Sequence, residues 1–397
     1  MDHTLTKEEI GRYSRQLLLN DFGTTGQEGL KTAKVLIIGA GGLGCPVAVY
    51  LAGSGIGTLG IVDYDEVSID NLHRQVAHKE SCVGIPKTAS LKATIQGLNH
   101  LVHVNCHNVL LAKDNAMDIF SQYDIVVDCS DNPATRYLVN DACVLLKKPL
   151  VSGSALRWEG QLTVYNYGDT TPCYRCLFPA PPNVSLVTNC SEGGVLGPVV
   201  GVIGSLQALE VIKIAAGLQS SYCGKMLIFD GLAGKTRVIE MRKKRSDCAI
   251  CGTNATIKAL IDYSVFCGAA PTDKVQSAKI LSDEERVTVQ QYQKVRTTCD
   301  PYLLDTRPPH EFRIAALPEA KNVSLPDIKK CSPHDILQRL AIGIYDTPDV
   351  YVICHRGNDS QLAVEMLKEK LHGCNVRDVR GGYQAWSEEI DHDFPQY

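Results

Sequence analysis

Three groups of residues in this sequence have the types and spacings that chemistry needs. Cys173-Tyr174-Arg175-Cys176 and Cys248-Ala249-Ile250-Cys251 are two C-x-x-C pairs, each able to place two thiolates on one tetrahedral ion. A single pair could be a redox motif or a coincidence, but two in one chain favour a shared zinc held by Cys173, Cys176, Cys248 and Cys251. The pairs lie too far apart for a compact ribbon, so the fold must bring them together. With every coordination position filled by thiolate, such a zinc would stabilise the chain rather than catalyse.

The second group begins at Gly39-Ala40-Gly41-Gly42-Leu43-Gly44, a G-x-G-x-x-G turn directly after the apolar run Val35-Leu36-Ile37-Ile38. Glycines let backbone approach a phosphate, and a following helix N-terminus offers unpaired N–H groups. Asp63 falls about 20 residues on, where a carboxylate would meet ribose hydroxyls. This much suits a nicotinamide oxidoreductase as well as an ATP enzyme. Asp70-Asn71-Leu72-His73-Arg74-Gln75, Lys87 and Asp131-Asn132 then add cations, amides and carboxylates suited to a triphosphate with Mg2+. Ala233-Gly234-Lys235-Thr236 resembles the end of a phosphate-binding loop, but Phe229 stands where its first glycine belongs, so it reads as a turn after a strand.

The third group is Cys354, which ends the run Val350-Tyr351-Val352-Ile353 and opens His355-Arg356-Gly357-Asn358-Asp359-Ser360 before a helical stretch. A loop of N–H groups ahead of a helix is expected to depress the thiol pKa and to hold an anionic persulfide. A cysteine phosphatase would need arginine at position 360, which is Ser360 here. Cys190, in Thr188-Asn189-Cys190-Ser191-Glu192-Gly193-Gly194, lies in a polar stretch; from the residues alone it could be a bystander thiol.

The elements that must position these groups follow an alternating rhythm. Strand-like runs at 35–38, 59–62, 125–127 and 149–151 alternate with helical patterns, which predicts βαβ units and a parallel sheet over 1–251. The rhythm lapses over 252–281, a predicted linker with a breaker at Gly268-Ala269-Ala270-Pro271, and resumes as a smaller α/β domain over 282–397. A length of 397 residues is more than one core usually serves, consistent with two domains. The 44% hydrophobic and 21% charged content excludes a disordered or fibrous chain.

A net charge of −4 argues against direct nucleic-acid binding, and Arg242-Lys243-Lys244-Arg245 reads as the solvated end of a domain. Residues 1–10 lack the apolar run of a secretory signal, and Glu210 and Lys213 interrupt the apolar stretch 199–218, so no membrane span is expected. A cytosolic address follows, in which the sixteen cysteines serve as thiols, metal ligands or catalytic sulfurs rather than disulfides.

Beyond these readings, the sequence resembles the adenylating enzymes that activate ubiquitin-like proteins, especially bacterial molybdopterin-synthase adenylyltransferase and its eukaryotic relatives with an added rhodanese domain. The likeness rests on Arg12-Tyr13-Ser14-Arg15-Gln16, 39–45, 71–75, Asp128-Cys129-Ser130-Asp131-Asn132 and Gly201-Val202-Ile203-Gly204-Ser205-Leu206-Gln207. Leu303-Leu304-Asp305-Thr306-Arg307, Glu311 and Arg380-Gly381-Gly382-Tyr383-Gln384-Ala385-Trp386 are similar to rhodanese motifs, with Tyr383 and Trp386 expected in the core.

The resemblance implies a Rossmann-like adenylation domain followed by a rhodanese domain. It implies ATP contacts from Gly42, Asp63, Asp70, Asn71, Leu72, His73, Arg74, Lys87, Asp131 and Asn132, with Asp131 also near Mg2+ and Arg15 reaching ATP in the partner of a homodimer. Asp70 stands where the bacterial relative carries serine. It implies a ubiquitin-like sulfur carrier with a C-terminal diglycine, an upstream persulfide donor, and Cys190 as a second catalytic cysteine that releases thiocarboxylate through a transient disulfide with Cys354. Molybdenum cofactor synthesis and transfer-RNA thiolation are the processes implied.

Overall fold

The computed structural model describes residues 3–182, 193–268, 279–343, 346 and 348–397. The chain divides into two compact units, Met1–Lys274 and Val275–Tyr397. Each is built on its own sheet.

In the first unit, β1 (Lys34–Ile38), β2 (Thr58–Val62), β3 (His103–His107), β4 (Ile125–Asp128) and β5 (Leu150–Leu156) run parallel in the order β3-β2-β1-β4-β5. The predicted parallel sheet then continues as an antiparallel arm through β6 (Glu159–Tyr165), β7 (Lys225–Asp230) and β8 (Lys235–Glu240). The hairpin turn between β7 and β8 covers 231–234, with Gly234 at φ 63°, and Lys235 and Thr236 open β8, so the 233–236 segment is part turn and part strand.

Alternate residues of β1 enter opposite cores. Val35 and Ile37 pack with the Gly44–Ser54 and Gly197–Ala215 helices, while Leu36 and Ile38 pack with Phe120, Tyr137 and Leu138. The Gly197–Ala215 helix is the one described helix long and apolar enough to cross a membrane, and here it lies against the Gly44–Ser54 helix, β5 and β6. Its Glu210 is buried, accepting from Lys213 Nζ at 2.7 Å, Ser220 Oγ at 2.6 Å and the Ser221 amide at 2.8 Å.

The register of the parallel strands sets the site. Ile38 lies opposite both Val62 and Asp128, so the chain leaves β1, β2 and β4 at one level. β1 and β4 are adjacent while their connections diverge, which opens a crevice at their carboxyl ends.

The segment expected as a linker is in part structured. Leu260, Ile261 and Phe266 pack on the first unit's core, and Tyr263 and Cys267 are buried in it. The Tyr263–Cys267 helix starts at Asp262, whose carboxylate accepts the Val265 amide at 3.0 Å, and Tyr263 donates to Asp141 Oδ2 at 2.8 Å. The breaker at 268–271 therefore follows this helix rather than marking the middle of a free connection. At the other end Leu281 is buried in the second unit.

The second unit has five parallel strands: β9 (Arg286–Val287), β10 (Tyr302–Asp305), β11 (Ala320–Asn322), β12 (Asp349–Ile353) and β13 (Asn375–Val379), in the order β11-β10-β12-β13-β9. Ile336, Val364 and Leu367 cover one face; Tyr292, Tyr383 and Trp386 cover the other.

Tyr263→Phe leaves the buried Asp141 carboxylate short of a donor, so it is expected to destabilise the first unit by about 1–3 kcal/mol. Denaturant unfolding measures this; an unchanged midpoint would show that the helix contributes nothing to the core.

Candidate active sites and metal centre

At the crevice, the glycine turn is fixed through one peptide. The Ala40 amide donates to Asp63 Oδ2 at 2.7 Å, and the Ala40 carbonyl lies 2.9 Å from His78 Nε2. His78 Nδ1 lies 2.9 Å from Ser90 Oγ, so the ring links the turn to the Lys87–Leu98 helix. Donation to the Ala40 carbonyl requires the proton on Nε2, with Nδ1 accepting from Ser90. Burial lowers the His78 pKa, which keeps the ring neutral. Sequence reasoning missed His78, because a histidine outside any motif gives no signal of the carbonyl it meets.

Asp63 already has an N–H on each oxygen, the second from Asp65 at 2.8 Å. Burial holds its pKa above the usual carboxylate range although Lys87 opposes this. Lys87 is buried, with Nζ 3.0 Å from Asp65 Oδ2. Gly44 starts the helix against the turn itself: a Cβ there would stand 1.9 Å from the Gly39 carbonyl oxygen. Gly42 faces the Val200 side chain.

The 70–75 stretch forms a hydrogen-bonded row. Asn71 Nδ2 donates to Asp70 Oδ2 at 2.9 Å, Gln75 Nε2 to Asn71 Oδ1 at 3.0 Å, and Arg74 Nη1 to the Asp70 carbonyl at 3.0 Å. Arg74 Nη1 also lies 3.3 Å from His73 Nε2, and Leu72 is half-buried beside it.

Asn132 has a structural role in addition to the expected ATP contact. It is the N-cap of the Pro133–Leu145 helix, its Oδ1 accepting the Thr135 amide at 2.9 Å, because asparagine before proline is a strong helix start. Its side-chain NH2 makes no hydrogen bond among the described residues and remains for a ligand. Asp131 is exposed at the rim, and Arg15 is exposed on the Ser14–Leu17 helix. Arg136, which no motif singled out, holds the β4 and β5 loops together through the Ser130 carbonyl at 2.8 Å and the Gly153 carbonyl at 3.1 Å.

The two cysteine pairs converge. Cys173 Sγ lies 3.9 Å from Cys176 and 3.6 Å from Cys248, and Cys176 lies 3.4 Å from Cys251; all four sulfurs fall within 4.8 Å of one another. Zn–S bonds of about 2.3 Å in a tetrahedron separate sulfurs by about 3.8 Å, so the cluster fits zinc. Arg175, inside the first pair, is clamped by Asp141 (Nε to Oδ1 at 2.8 Å, Nη2 to Oδ2 at 2.8 Å) and lies over the Phe266 ring at 4.5 Å. That clamp ties the first pair to the Tyr263–Cys267 helix.

In the second unit, Cys354 emerges from the central strand. Its sulfur accepts the Gly357 amide at 3.1 Å and lies 3.2 Å from Ser360 Oγ. The expected depressed pKa is corrected here: burial pushes the thiol up, and the Ser360 hydrogen bonds only oppose it. With Cys354 only 3% exposed, its thiolate loses more from desolvation than the loop's hydrogen bonds return. Gly382 packs on the same loop, where a Cβ would stand 2.1 Å from the Cys354 carbonyl oxygen.

Arg307 pairs with Asp305 at 2.6 Å and lies 3.9 Å over the Tyr383 ring, while Tyr383 and Trp386 are core residues. Burial raises the Glu311 pKa. His355, stacked on Tyr397 at 4.5 Å, is pushed down to about 4 by burial and then by Arg356 and Arg307, so it is neutral. Cys190 lies outside the described residues.

With both centres in view, comparison with known proteins is decisive. The ThiF family matches residues 13–250 and the rhodanese-like domain matches residues 288–389. "Adenylyltransferase and sulfurtransferase MOCS3" of Caenorhabditis briggsae is 57% identical over 394 residues, covering 99% of this chain and 98% of the relative. The protein of that name from Drosophila virilis is 50% identical over 395 residues, covering 99% and 87%. The chain belongs to the MOCS3 adenylyltransferase and sulfurtransferase family.

Among solved structures, Escherichia coli MccB with ATP is similar at a TM-score of 0.55 and 27% identity, over 62% of this chain and 75% of that one. The chain is thus an enzyme with two activities, adenylyl transfer and sulfur transfer, on a Rossmann-like adenylation domain and a rhodanese domain. The nicotinamide oxidoreductase alternative is overturned by the ThiF match.

Gly44→Ala forces the glycine turn to move, and is expected to weaken ATP binding at least tenfold, equivalent to about 1.4 kcal/mol. Calorimetric titration with a non-hydrolysable ATP analogue checks this, and unaltered affinity would remove the turn from the nucleotide site.

Proposed function

We propose that the enzyme adenylates the C-terminal glycine carboxylate of a ubiquitin-like sulfur carrier and then converts it to a thiocarboxylate with sulfur carried on Cys354. The observation that supports this most directly is one chain carrying both a ThiF and a rhodanese-like domain, with relatives named for both activities over nearly their whole length.

In this reading ATP occupies the crevice at the carboxyl ends of β1, β2 and β4. The amides of the glycine turn and the helix N-terminus at Gly44 meet its phosphates, and Asp63 keeps the turn in place for them. Arg74 and Lys87 balance phosphate charge, while Asp70, Asn71, Leu72, His73 and the Asn132 amide line the nucleotide. Arg15 of a second copy completes this set in a homodimer. Mg2+ beside Asp131 supplies charge neutralisation when bound. A carboxylate needs no general base, so orientation and charge stabilisation suffice for its attack on the α-phosphate, with pyrophosphate leaving.

The acyl-adenylate is then attacked by the terminal sulfur of a Cys354 persulfide, expelling AMP and leaving an acyl disulfide. Cys190 thiolate attacks the Cys354 sulfur, thiocarboxylate departs, and a Cys190–Cys354 disulfide remains for a thiol reductant to open. An upstream persulfide donor reloads Cys354. Cys173, Cys176, Cys248 and Cys251 hold a structural zinc, and the enzyme works in the cytosol, where these thiols stay reduced. The catalytic divisions are 1–251 for adenylation and 282–397 for sulfur transfer, with part of 252–281 between them serving as the connection.

Mass spectrometry of the carrier after incubation with ATP, Mg2+ and a persulfide donor is expected to show one oxygen replaced by sulfur. Cys354→Ala should abolish that gain while leaving carrier-dependent ATP–pyrophosphate exchange intact; an undiminished gain would sink the role given to Cys354. Cys176→Ser should lose bound zinc by elemental analysis and lower the melting temperature, whereas full metal content would refute the four-thiolate site.

A further inference from the structure

One buried side chain ties the Cys354 loop to the segment that leads into the sheet of the second unit. Gln361, with 0% exposure, lies in the first turn of the Asp359–Lys370 helix. Its Nε2 donates to the Gly357 carbonyl at 2.7 Å, and its Oε1 accepts the Ile280 amide at 3.0 Å and the Leu281 amide at 3.4 Å. Backbone N–H groups at one end and a carbonyl at the other leave the side-chain amide a single orientation. Arg286 Nη2 reaches the same carbonyl at 3.4 Å, while its Nε donates to Asp378 Oδ2 at 2.7 Å. The Gly357 carbonyl is therefore held both from 280–281 and from β9.

Gly357 is the residue whose amide meets the sulfur, at 3.1 Å. It is buried at φ 77°, and a Cβ there would stand 2.5 Å from the Gly381 nitrogen, so a larger residue would have to push that backbone away. Glycine takes either sign of φ readily, so Gly357 does not by itself keep its N–H on the sulfur. With the amide aimed at Cys354, the carbonyl is the polar handle by which the residue can be held. A cation in that place would attract a thiolate directly; a neutral side-chain amide fixes geometry alone.

We propose that Gln361 is a positioning residue for sulfur transfer: by gripping the Gly357 carbonyl against the 280–281 backbone, it keeps the Gly357 amide on the Cys354 sulfur. The role rests on Cys354 being the sulfur acceptor. Gln361 acts on the sulfur through Gly357. An N–H aimed at sulfur stabilises a thiolate or a persulfide anion more than the neutral thiol. Leu281 is buried in the core of the second unit, which gives Gln361 a fixed anchor at its other end. The chain's path into the second unit is thereby part of the sulfur site.

The charged and titratable groups around the sulfur are Asp359 at the helix start, Asp378 with Arg286, His355 and Arg356 in the loop, Arg380 after β13, and the Asp305–Arg307 pair. Replacing Gln361 with a neutral side chain removes none of these charges. A shift in the thiol titration then reports the loop's hydrogen bonds to the sulfur.

The test is the rate of Cys354 alkylation by iodoacetamide in the full-length enzyme as a function of pH, read by peptide mass spectrometry. Gln361→Met keeps the length of the side chain but removes its amide. Its midpoint is expected about one pH unit above that of the wild type, so that alkylation at neutral pH is about tenfold slower. Loading of Cys354 from a small-molecule persulfide should slow by a similar factor at saturation, with the half-saturating concentration unchanged. A lower melting temperature with the wild-type alkylation profile would show that Gln361 only packs, and would overturn the proposal; an upward shift with unchanged loading would do the same. If Gln361→Met does not fold, Gln361→Ser decides by the same profile, because it leaves a gap that water can enter rather than an apolar chain against three polar groups. No sulfur gain on wild-type Cys354 would overturn the acceptor reading, whereas normal gain in the wild type with unshifted variants would overturn the positioning role alone.

Discussion

The constraint on which both units depend is the register of parallel strands. Parallel pairing sends every connection away from the same end of the sheet, so residues that follow strands distant in sequence arrive on one rim. In the first unit the pairing of Ile38 with both Val62 and Asp128 brings the glycine turn, Asp63 and the 128–132 loop to one level. In the second, Asp305 opposite Ile353 and Val352 opposite Asp378 do the same for Arg307, Cys354 and Asp378. A slip of one residue would turn each strand's core residues toward the opposite face, so the burial of both faces locks the functional geometry as well as the fold.

Onto that rim the chain adds a few buried polar ties, each linking segments that apolar packing would leave free to slide. Asp63 and His78 grip opposite ends of the Ala40 residue, Arg136 spans two loops, and Arg175 with Asp141 and Tyr263 joins the Cys173–Cys176 turn to a short helix. Such ties are directional, and removing one partner of a buried ion pair costs about 3–5 kcal/mol because the other is left uncompensated. They therefore resist small displacements in a way that methyl groups do not. The glycine turn is pinned at Ala40 by these ties, although glycine alone would make it loose.

What the sequence disclosed, and what it withheld, follows the same division. Strands, helices, the glycine turn and the cysteine pairs were legible because their signals are local: periodicity, spacing and residue type within a few positions. The helix at 263–267 was hidden because its five residues are too short for periodicity, and its stability comes from Asp141 and Arg175, more than eighty residues away. His78 and Arg136 were hidden because their partners are carbonyl groups, which every residue has. Asn132 was read as a ligand from its motif, and the proline beside it signalled that it also caps a helix. Cys354 was placed correctly at the end of its strand, but its ionisation was not, since depth of burial is a property of the whole unit rather than of the loop.

That last point separates the two chemistries. In the first unit Asp70, His73 and Asp131 are exposed, so their polar groups keep their hydration. Little is lost by holding them ready. A sulfur-transfer site is different, because water and stray thiols would consume a persulfide, and a cysteine such as Cys354, only 3% exposed, is shielded from both. Exclusion of water protects the sulfur but raises the thiol pKa, so protection and reactivity oppose one another within a single side chain. Hydrogen bonds from Gly357 and Ser360 reduce that conflict without removing it.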